Sequence, residues 1–350
     1  MWVFNPGPAA AAYREESADR SVKPIVREGM YMDRSFAERR TQSIPRPVKQ
    51  KRMARGFWKD YQLYLLLFLP IAYFIIFKYV PMYGAAIAFQ DYSIFRGVSG
   101  SEWIGFENFR ELFAMSQFYT VVRNTLLLNL LDLIVSFPAP IILALLLHEL
   151  STVWFKKISQ TILYLPHFIS WIIIGGLVYQ IFSNNGGLVN NLITSLGFES
   201  VPFLTEKNHW LLVYLGTGVW QSAGWGTIIY LAALTGINKE LYEAAEVDGA
   251  GRWRKMWNIT LPGIRPTIVV MLIMALGKIM TIGFERPFVM GNTLVMDYAE
   301  VISTFVYKVG LQSAQFSLAT AMGLFQALVG LIFVIGSNAI AKRMGEQGLW

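Results

Sequence analysis

The chain has 350 residues, 54% of them hydrophobic and only 15% charged, with a mean hydropathy of +0.42. A soluble domain carries nearer ~25% charged residues, so the composition excludes an ordinary soluble globule and points to an integral membrane protein. The net charge of +7 does not mark a nucleic-acid-binding surface, because residues 1–60 hold thirteen of the thirty basic residues and seven of the twenty-three acidic ones.

Residues 1–56 are rich in Pro, Ala, Arg, Glu and Ser and show no sustained apolar period, so they are expected to form a disordered cytoplasmic tail. They contain no apolar run of signal-peptide type. Met30, Met32 and Met53 are candidate alternative starts, which an intact mass retaining Met1 would dismiss. Arg46, Lys49, Lys51, Arg52, Arg55 and Lys59 then gather ahead of the first apolar run, where they suit an anionic lipid surface.

Residues 57–345 are read as an all-α membrane domain. Six stretches reach the ~20 apolar residues that a transmembrane helix needs: about 61–81, 121–147, 160–182, 211–235, 267–286 and 315–341. Fifteen flanking Lys and Arg fall on one side of these spans and five on the other. The bias predicts both termini, and the connection 237–266, in the cytoplasm. Between the first two spans, Trp103, Phe106 and Phe109 bracket Glu107 and Asn108, which fits an interfacial aromatic belt. Between the third and fourth, Asn184-Asn185-Gly186-Gly187 signals a turn before a short amphipathic piece, Leu188 to Leu196.

Polar side chains within spans are costly and usually face the bundle interior or water. Asn129 and Asp132 share a helix face, where interhelical hydrogen bonding is the plainer reading. Trp220, Gln221, Ser222 and Trp225 cluster with Gly218, Gly224 and Gly226; the glycines permit close packing, while indole faces and an amide are also what a sugar needs. Lys278 and Glu285 lie seven apart on one face, and Lys278 either pairs with Asp132 or lines a pathway. Asn129, Asp132, Trp220, Gln221, Trp225, Lys278 and Glu285 are thus the candidate substrate-pathway residues. Gly323, Gly330 and Gly336 read as helix-packing sites.

The polar connection Ile237–Pro266 has its own pattern. Asn238 is a good N-cap, with Glu240 in the first turn. Ile237, Leu241, Ala244, Ala245 and Asp248 follow helical spacing, and Gly249 and Gly251 break the helix and permit φ > 0. A second amphipathic turn puts Trp253, Met256, Trp257 and Thr260 opposite Arg252 and Lys255; Leu261-Pro262 is expected to stop it, and Pro266 to open the next span. An amphipathic helix resting on lipid headgroups would look similar.

Glu243-Ala244-Ala245, Asp248-Gly249-Ala250, Ile259 and Leu261-Pro262, with Pro266 beyond, resemble the EAA loop of ATP-binding-cassette (ABC) importer permeases. Asn238 stands where that family often has proline, and either residue can start a helix. Gly105, Asn108 and Phe109, then Arg123-Asn124-Thr125, resemble elements of the sugar-type permeases, and the likeness spans roughly residues 60–345. It implies a type I importer domain with cytoplasmic coupling helices, in which Glu243, Ala244, Ala245, Asp248, Gly249, Ala250, Leu261 and Pro262 couple to an ATPase dimer holding ATP and Mg. It further implies a second homologous permease in a heterodimer, an extracellular solute-binding protein, a carbohydrate substrate and a bacterial plasma membrane. The run Gly283–Asn292 resembles the oligosaccharide branch, implying a plant-polysaccharide fragment, with an acidic one among the alternatives.

No G-x-x-x-x-G-K-[ST], H-E-x-x-H or G-x-S-x-G run occurs, so no nucleotide site or catalytic constellation is visible. The chain has no cysteine, and its three histidines, His148, His167 and His209, are scattered, so no metal site and no cofactor are expected. The competing reading is an ion-coupled secondary transporter using Asp132 and Lys278. A membrane glycosyltransferase finds only the isolated carboxylates Glu107 and Glu285.

Overall fold

A computed structural model describes residues 61–343 and 345. The expected tail 1–56 and the basic cluster that follows it lie outside the described residues. Residues 61–70 are helical and begin α1 (Tyr61–Phe74), with Pro70 inside it. The described residues from 71 onward form one compact unit. In it the helical path continues through a π turn at Ile75–Tyr79 to 3-10 turns at Tyr83–Phe89.

A two-stranded antiparallel pair follows, β1 (Gln90–Asp91) and β2 (Glu102–Trp103), in the register Gln90 to Trp103. Then come α2 (Glu107–Ala114), α3 (Ser116–Ser136), α4 (Pro138–Glu149), α5 (Val153–Tyr164), α6 (Trp171–Phe182), α7 (Leu188–Ser195) and α8 (Lys207–Thr235). The chain continues with α9 (Lys239–Val247), α10 (Arg252–Lys255), α11 (Leu261–Gly277), α12 (Glu285–Met290), α13 (Met296–Ala299), α14 (Ile302–Val306) and α15 (Phe316–Arg343).

Among the described residues, four helices are long and apolar enough to cross a membrane: Tyr61–Phe89, Ser116–Glu149, Arg252–Gly277 and Phe316–Arg343. Pro138 does not break the second, because it occupies the first turn of α4, where a missing N–H costs little. Two expected spans are corrected. The stretch 160–182 is not one straight helix: Val153–Phe168 and Trp171–Phe182 meet at 99°, making a fifth crossing only as a broken span. Pro166 withholds a backbone donor there, and the Ser170 hydroxyl caps the new helix by accepting from the Ile173 N–H. The stretch 267–286 begins earlier and ends sooner. Helix α10 runs through a π turn at Met256–Thr260 into α11, which stops at Gly277, and residues 278–284 are irregular before α12. Hydropathy averages over such breaks and cannot see them.

Helix α8 is long enough to cross, at about 43 Å for its 29 residues, yet it is absent from the apolar four. Its polar residues and glycines lower its hydropathy because it is the central post. Trp210, Val213 and Tyr214 pack with Leu128, Ile174 and Val301 in one buried cluster, while Tyr230 and Leu234 pack with Ala144 and Ile264 in another. The glycines are closeness devices. The α-carbon of Gly224 sits against the Leu163 carbonyl of α5, and a Cβ on Gly226 would meet the Pro140 ring of α4 at 2.8 Å.

Buried asparagines tie the connecting segments to the bundle. Asn108 donates to the carbonyls of Ala88 and Gln90 at 2.9 and 3.0 Å, under a stack of Phe89 on Trp103. Asn124 donates to the carbonyls of Asp297 and Glu300, and the Thr125 hydroxyl accepts from the Ile302 N–H. Asn190 donates to the Ser183 and Val201 carbonyls and accepts from the Val201 N–H. Each satisfies backbone groups that irregular chain would otherwise leave buried and unpaired.

Gly224→Ala is expected to force α5 off α8 and to lower stability by about 1–3 kcal/mol. Thermal melting of the purified protein in detergent measures this, and an unchanged midpoint would contradict the close approach.

Candidate functional site

The centre of the bundle holds an ion pair. Asp132 projects from α3, and Arg286 projects from α12, which the irregular segment 278–284 turns back into the bundle. The guanidinium donates to the two Asp132 carboxylate oxygens at 2.6 and 3.3 Å and to the Tyr214 carbonyl. Its flat face lies 3.7 Å from the Tyr214 ring centre and 5.3 Å from that of Trp171. Residue 218 has to be glycine, since a Cβ there would overlap the guanidinium. The side chains are 13% and 23% exposed for Arg286 and Asp132, so the pair is screened little by water. The Ser136 hydroxyl donates to Asp132 as well.

Two cavities with polar groups in their walls flank the pair. One of about 580 Å³ is lined by Asn129, Asp132, Trp171, Gln221, Glu285 and Arg286. The other, about 410 Å³, shares Asn129, Asp132, Ser222 and Thr281 and adds Ser136, Tyr230 and Lys278. Of the candidate pathway residues, the structure therefore gathers Asn129, Asp132, Gln221, Lys278 and Glu285 around one ion pair. It separates the other two. Trp220 lines a different, apolar cavity with Ile174, Val178 and Phe182. Trp225 stacks on His167 with 4.5 Å between ring centres, bracing the bend before α6. The helical period accounts for Trp220, which lies on another face of α8 from Gln221. Trp225 shares the Gln221 face one turn on but is taken up by His167, whose carbonyl Gln221 reaches at 3.4 Å.

The alternative pairing of Asp132 with Lys278 is also corrected, since Arg286 occupies the carboxylate. Arg286 was missed as a site residue, although an arginine beside Glu285 in an apolar run is the signal that finds it. Asn129 spends its amide N–H on the Ile279 carbonyl at 2.6 Å, holding the broken end of α11.

At the other end of α11 the predicted loop is a braced elbow. Asn238 caps α9 by accepting from the Glu240 N–H at 3.0 Å. Gly249 has φ +71°, with Gly249 N–H donating to the Glu246 carbonyl and Ala250 N–H to that of Ala245. This is the paired hydrogen bonding of a glycine-terminated helix. Gly251 has φ −67° and needs no glycine, which corrects the expectation of two left-handed positions. The expected stop at Leu261-Pro262 is corrected too: Pro262 lies in the first turn of α11, where the helix carries on. Tyr242 bonds Thr260 at 3.0 Å and Lys255 pairs with Glu246 at 3.0 Å, joining the two arms. The expected apolar stripe divides. Ile237 packs over Gly263, whereas Leu241, Ala244, Val247, Trp253 and Trp257 face outward, Val247 being 89% and Trp253 72% exposed. Glu243 and Asp248 are exposed on the same elbow, Ala245, Ala250 and Leu261 half-buried.

Known proteins resemble this chain in sequence and fold. The family described as binding-protein-dependent transport system inner membrane component matches residues 112–346. The polygalacturonan/rhamnogalacturonan transport system permease protein of Bacillus subtilis is 46% identical over 302 residues, 86% of this chain and 94% of that protein. The diacetylchitobiose uptake system permease protein of Streptomyces coelicolor is 30% identical over 314 residues, 85% of this chain and 87% of that one. A chain of a bacterial ABC transporter involved in the import of the acidic polysaccharide alginate superposes with a TM-score of 0.77 at 41% identity, covering 84% of this chain and 99% of its own. The same holds for an alginate ABC transporter crystallised with its pentasaccharide-bound periplasmic protein, at 40% identity and a TM-score of 0.77, over 85% of this chain and 100% of its own.

Arg286→Met leaves the Asp132 carboxylate buried without its cation and is expected to destabilise the protein by about 3–5 kcal/mol. Adding Asp132→Leu to that variant removes the stranded charge and should restore most of the loss. Melting curves of the two variants decide; a single variant as stable as the parent would refute the central role of the pair.

Proposed function

The chain belongs to the binding-protein-dependent transport system inner membrane components, and we propose that it is one of two permease subunits through which an oligosaccharide is imported at the expense of ATP hydrolysed on partner chains. Membership makes it a membrane-embedded transporter subunit of the sugar ABC type. The finer assignments rest on its own residues.

The observation that carries the reading is the outward-facing apolar elbow. Leu241, Val247, Trp253 and Trp257 are large apolar side chains left uncovered on a polar loop. Such a face stabilises little by itself and much when a partner groove covers it. Helix α9 is the piece that docks in an ATPase cleft, with Glu243 and Asp248 meeting its polar rim. Helix α10 continues unbroken into α11, so displacement of the elbow passes as a rigid rod to the broken end at Lys278. Closure of an ATPase dimer, holding ATP and Mg, then moves the cavities around Asp132 and Arg286 between the two faces of the membrane. Asn129, Asp132, Gln221, Lys278 and Glu285 line that path, and a second permease completes it. Trp220 and Trp225 have structural roles in this scheme.

The flanking charges orient the elbow and both termini toward the cytoplasm, with six passages in all once α8 and the bent pair α5–α6 are counted. An extracellular solute-binding protein delivers the sugar on the opposite side, where the asparagine-tied segments 82–120, 183–206 and 291–315 lie. The ion-coupled alternative loses its coupling pair, since the Asp132 carboxylate is already neutralised by Arg286.

Gly249→Pro cannot adopt φ +71° and also removes the N–H that closes α9, so ATP-driven uptake should fall to background while membrane insertion is retained. Gly251→Ala, at an ordinary φ and with open space around it, should transport normally. Uptake by vesicles carrying the complete importer measures both, and normal uptake by the proline variant would refute the elbow as the coupling element.

A further inference from the structure

Lys278 stands at the broken end of α11, thirteen residues beyond Arg265. At 1.5 Å per residue that is about 20 Å along the helix, well inside a hydrocarbon core of about 30 Å. An ammonium at such depth requires water or a counter-ion. Among the described residues it has neither an ion-pair partner nor a hydrogen-bond acceptor for its Nζ, and its side chain is exposed. The two carboxylates that line the same region do not serve it. Asp132 is held by both terminal nitrogens of Arg286, and Glu285 lines the neighbouring cavity without pairing to it.

Apart from Lys278 and the Asp132 carboxylate held by Arg286, the cavity that Lys278 lines has neutral polar groups set in a largely apolar wall. Ser136, Ser222, Thr281 and Tyr230 contribute hydroxyls and Asn129 an amide, beside the apolar Pro140 and Met271. Its volume of about 410 Å³ is enough for a sugar ring or two. Hydroxyls and amides match the hydroxyls of a sugar, and the single uncompensated cation matches one carboxylate. We infer that this cavity is a subsite for a uronic-acid unit of an anionic oligosaccharide, with Lys278 Nζ donating to the sugar carboxylate. Asp132 also lines this cavity, and Arg286 compensates its charge from the neighbouring one, so Lys278 is the charge left without a counter-ion there. The inference rests on the import reading above and names its substrate class. A carboxylate from the second permease subunit is the competing occupant, and it would make Lys278 an interface residue with no preference for charged sugar.

The test uses the complete importer in lipid nanodiscs or vesicles, with its solute-binding protein charged to equal occupancy with each of three probes: trigalacturonate, its methyl ester and the neutral maltotriose. Lys278→Met should slow uptake of trigalacturonate by about tenfold or more, the worth of one charge-assisted hydrogen bond. Lys278→Arg, which keeps the charge, should recover most of that loss. The parent should prefer the acid to the ester, and Lys278→Met should abolish that preference. Loss of uptake for acid and ester alike in Lys278→Met would overturn the inference in favour of a structural or interface role, as would an unaltered rate for the acid. Uptake of maltotriose alone by the parent would overturn the uronate assignment and leave the import reading intact; failure of all three probes would remove both.

Discussion

A buried guanidinium must find an anion, and in this protein that need organises the bundle. Arg286 sits on α12, a helix of six residues that exists because the preceding helix breaks at Gly277. Its partners come from elements far apart in sequence: a carboxylate from α3, a backbone carbonyl and a ring from α8, and an indole from α6. An ion pair of this kind adds little net stability over an apolar core, because desolvation offsets most of the attraction. Its effect is positional. The arginine meets its carboxylate, carbonyl and rings only where these helices come together, so the pair favours the crossing seen here.

The same logic explains why the central helix is not among the four most plainly apolar ones. Helix α8 touches α5 through Gly224, α4 through Gly226 and the arginine through Gly218. Three close approaches on one helix require three residues without side chains, and glycine in a helix interior costs about 1 kcal/mol each relative to alanine. Burial of Trp210, Tyr214 and Tyr230 on the same helix offsets that cost. Trp210 also donates its indole N–H to the Met290 carbonyl, tying α8 to the far end of α12. What remains open beside this post is a pair of cavities whose only uncompensated cation, among the described residues, is Lys278.

The loop at the opposite end of α11 uses backbone chemistry to the same purpose. A left-handed glycine ends α9, two side-chain bridges fix the angle, and a continuous helix leads back into the membrane. Ile237 is spent on the bundle and Tyr242 on the bridge between the arms, which leaves Trp253 and Trp257 to face outward. Rigid geometry with an uncovered apolar face is what an element that transmits motion needs.

The amino-acid sequence by itself was enough to establish membrane class, the N-cap at Asn238, the glycine turn at Gly249 and the likeness to importer permeases. Each of these is carried by composition or by residues adjacent in the chain. The sequence also supplied Asn129, Asp132, Gln221, Lys278 and Glu285, because a polar group in an apolar run is conspicuous wherever it points. It could not say that Asp132 meets Arg286 rather than Lys278, that Trp220 and Trp225 turn away from the cavities, or that residues 160–182 and 267–286 are broken. Partner choice depends on the crossing of helices more than 150 residues apart, and a break is set by which backbone groups find partners elsewhere. Hydropathy and local period contain neither quantity; only the packed bundle decides them.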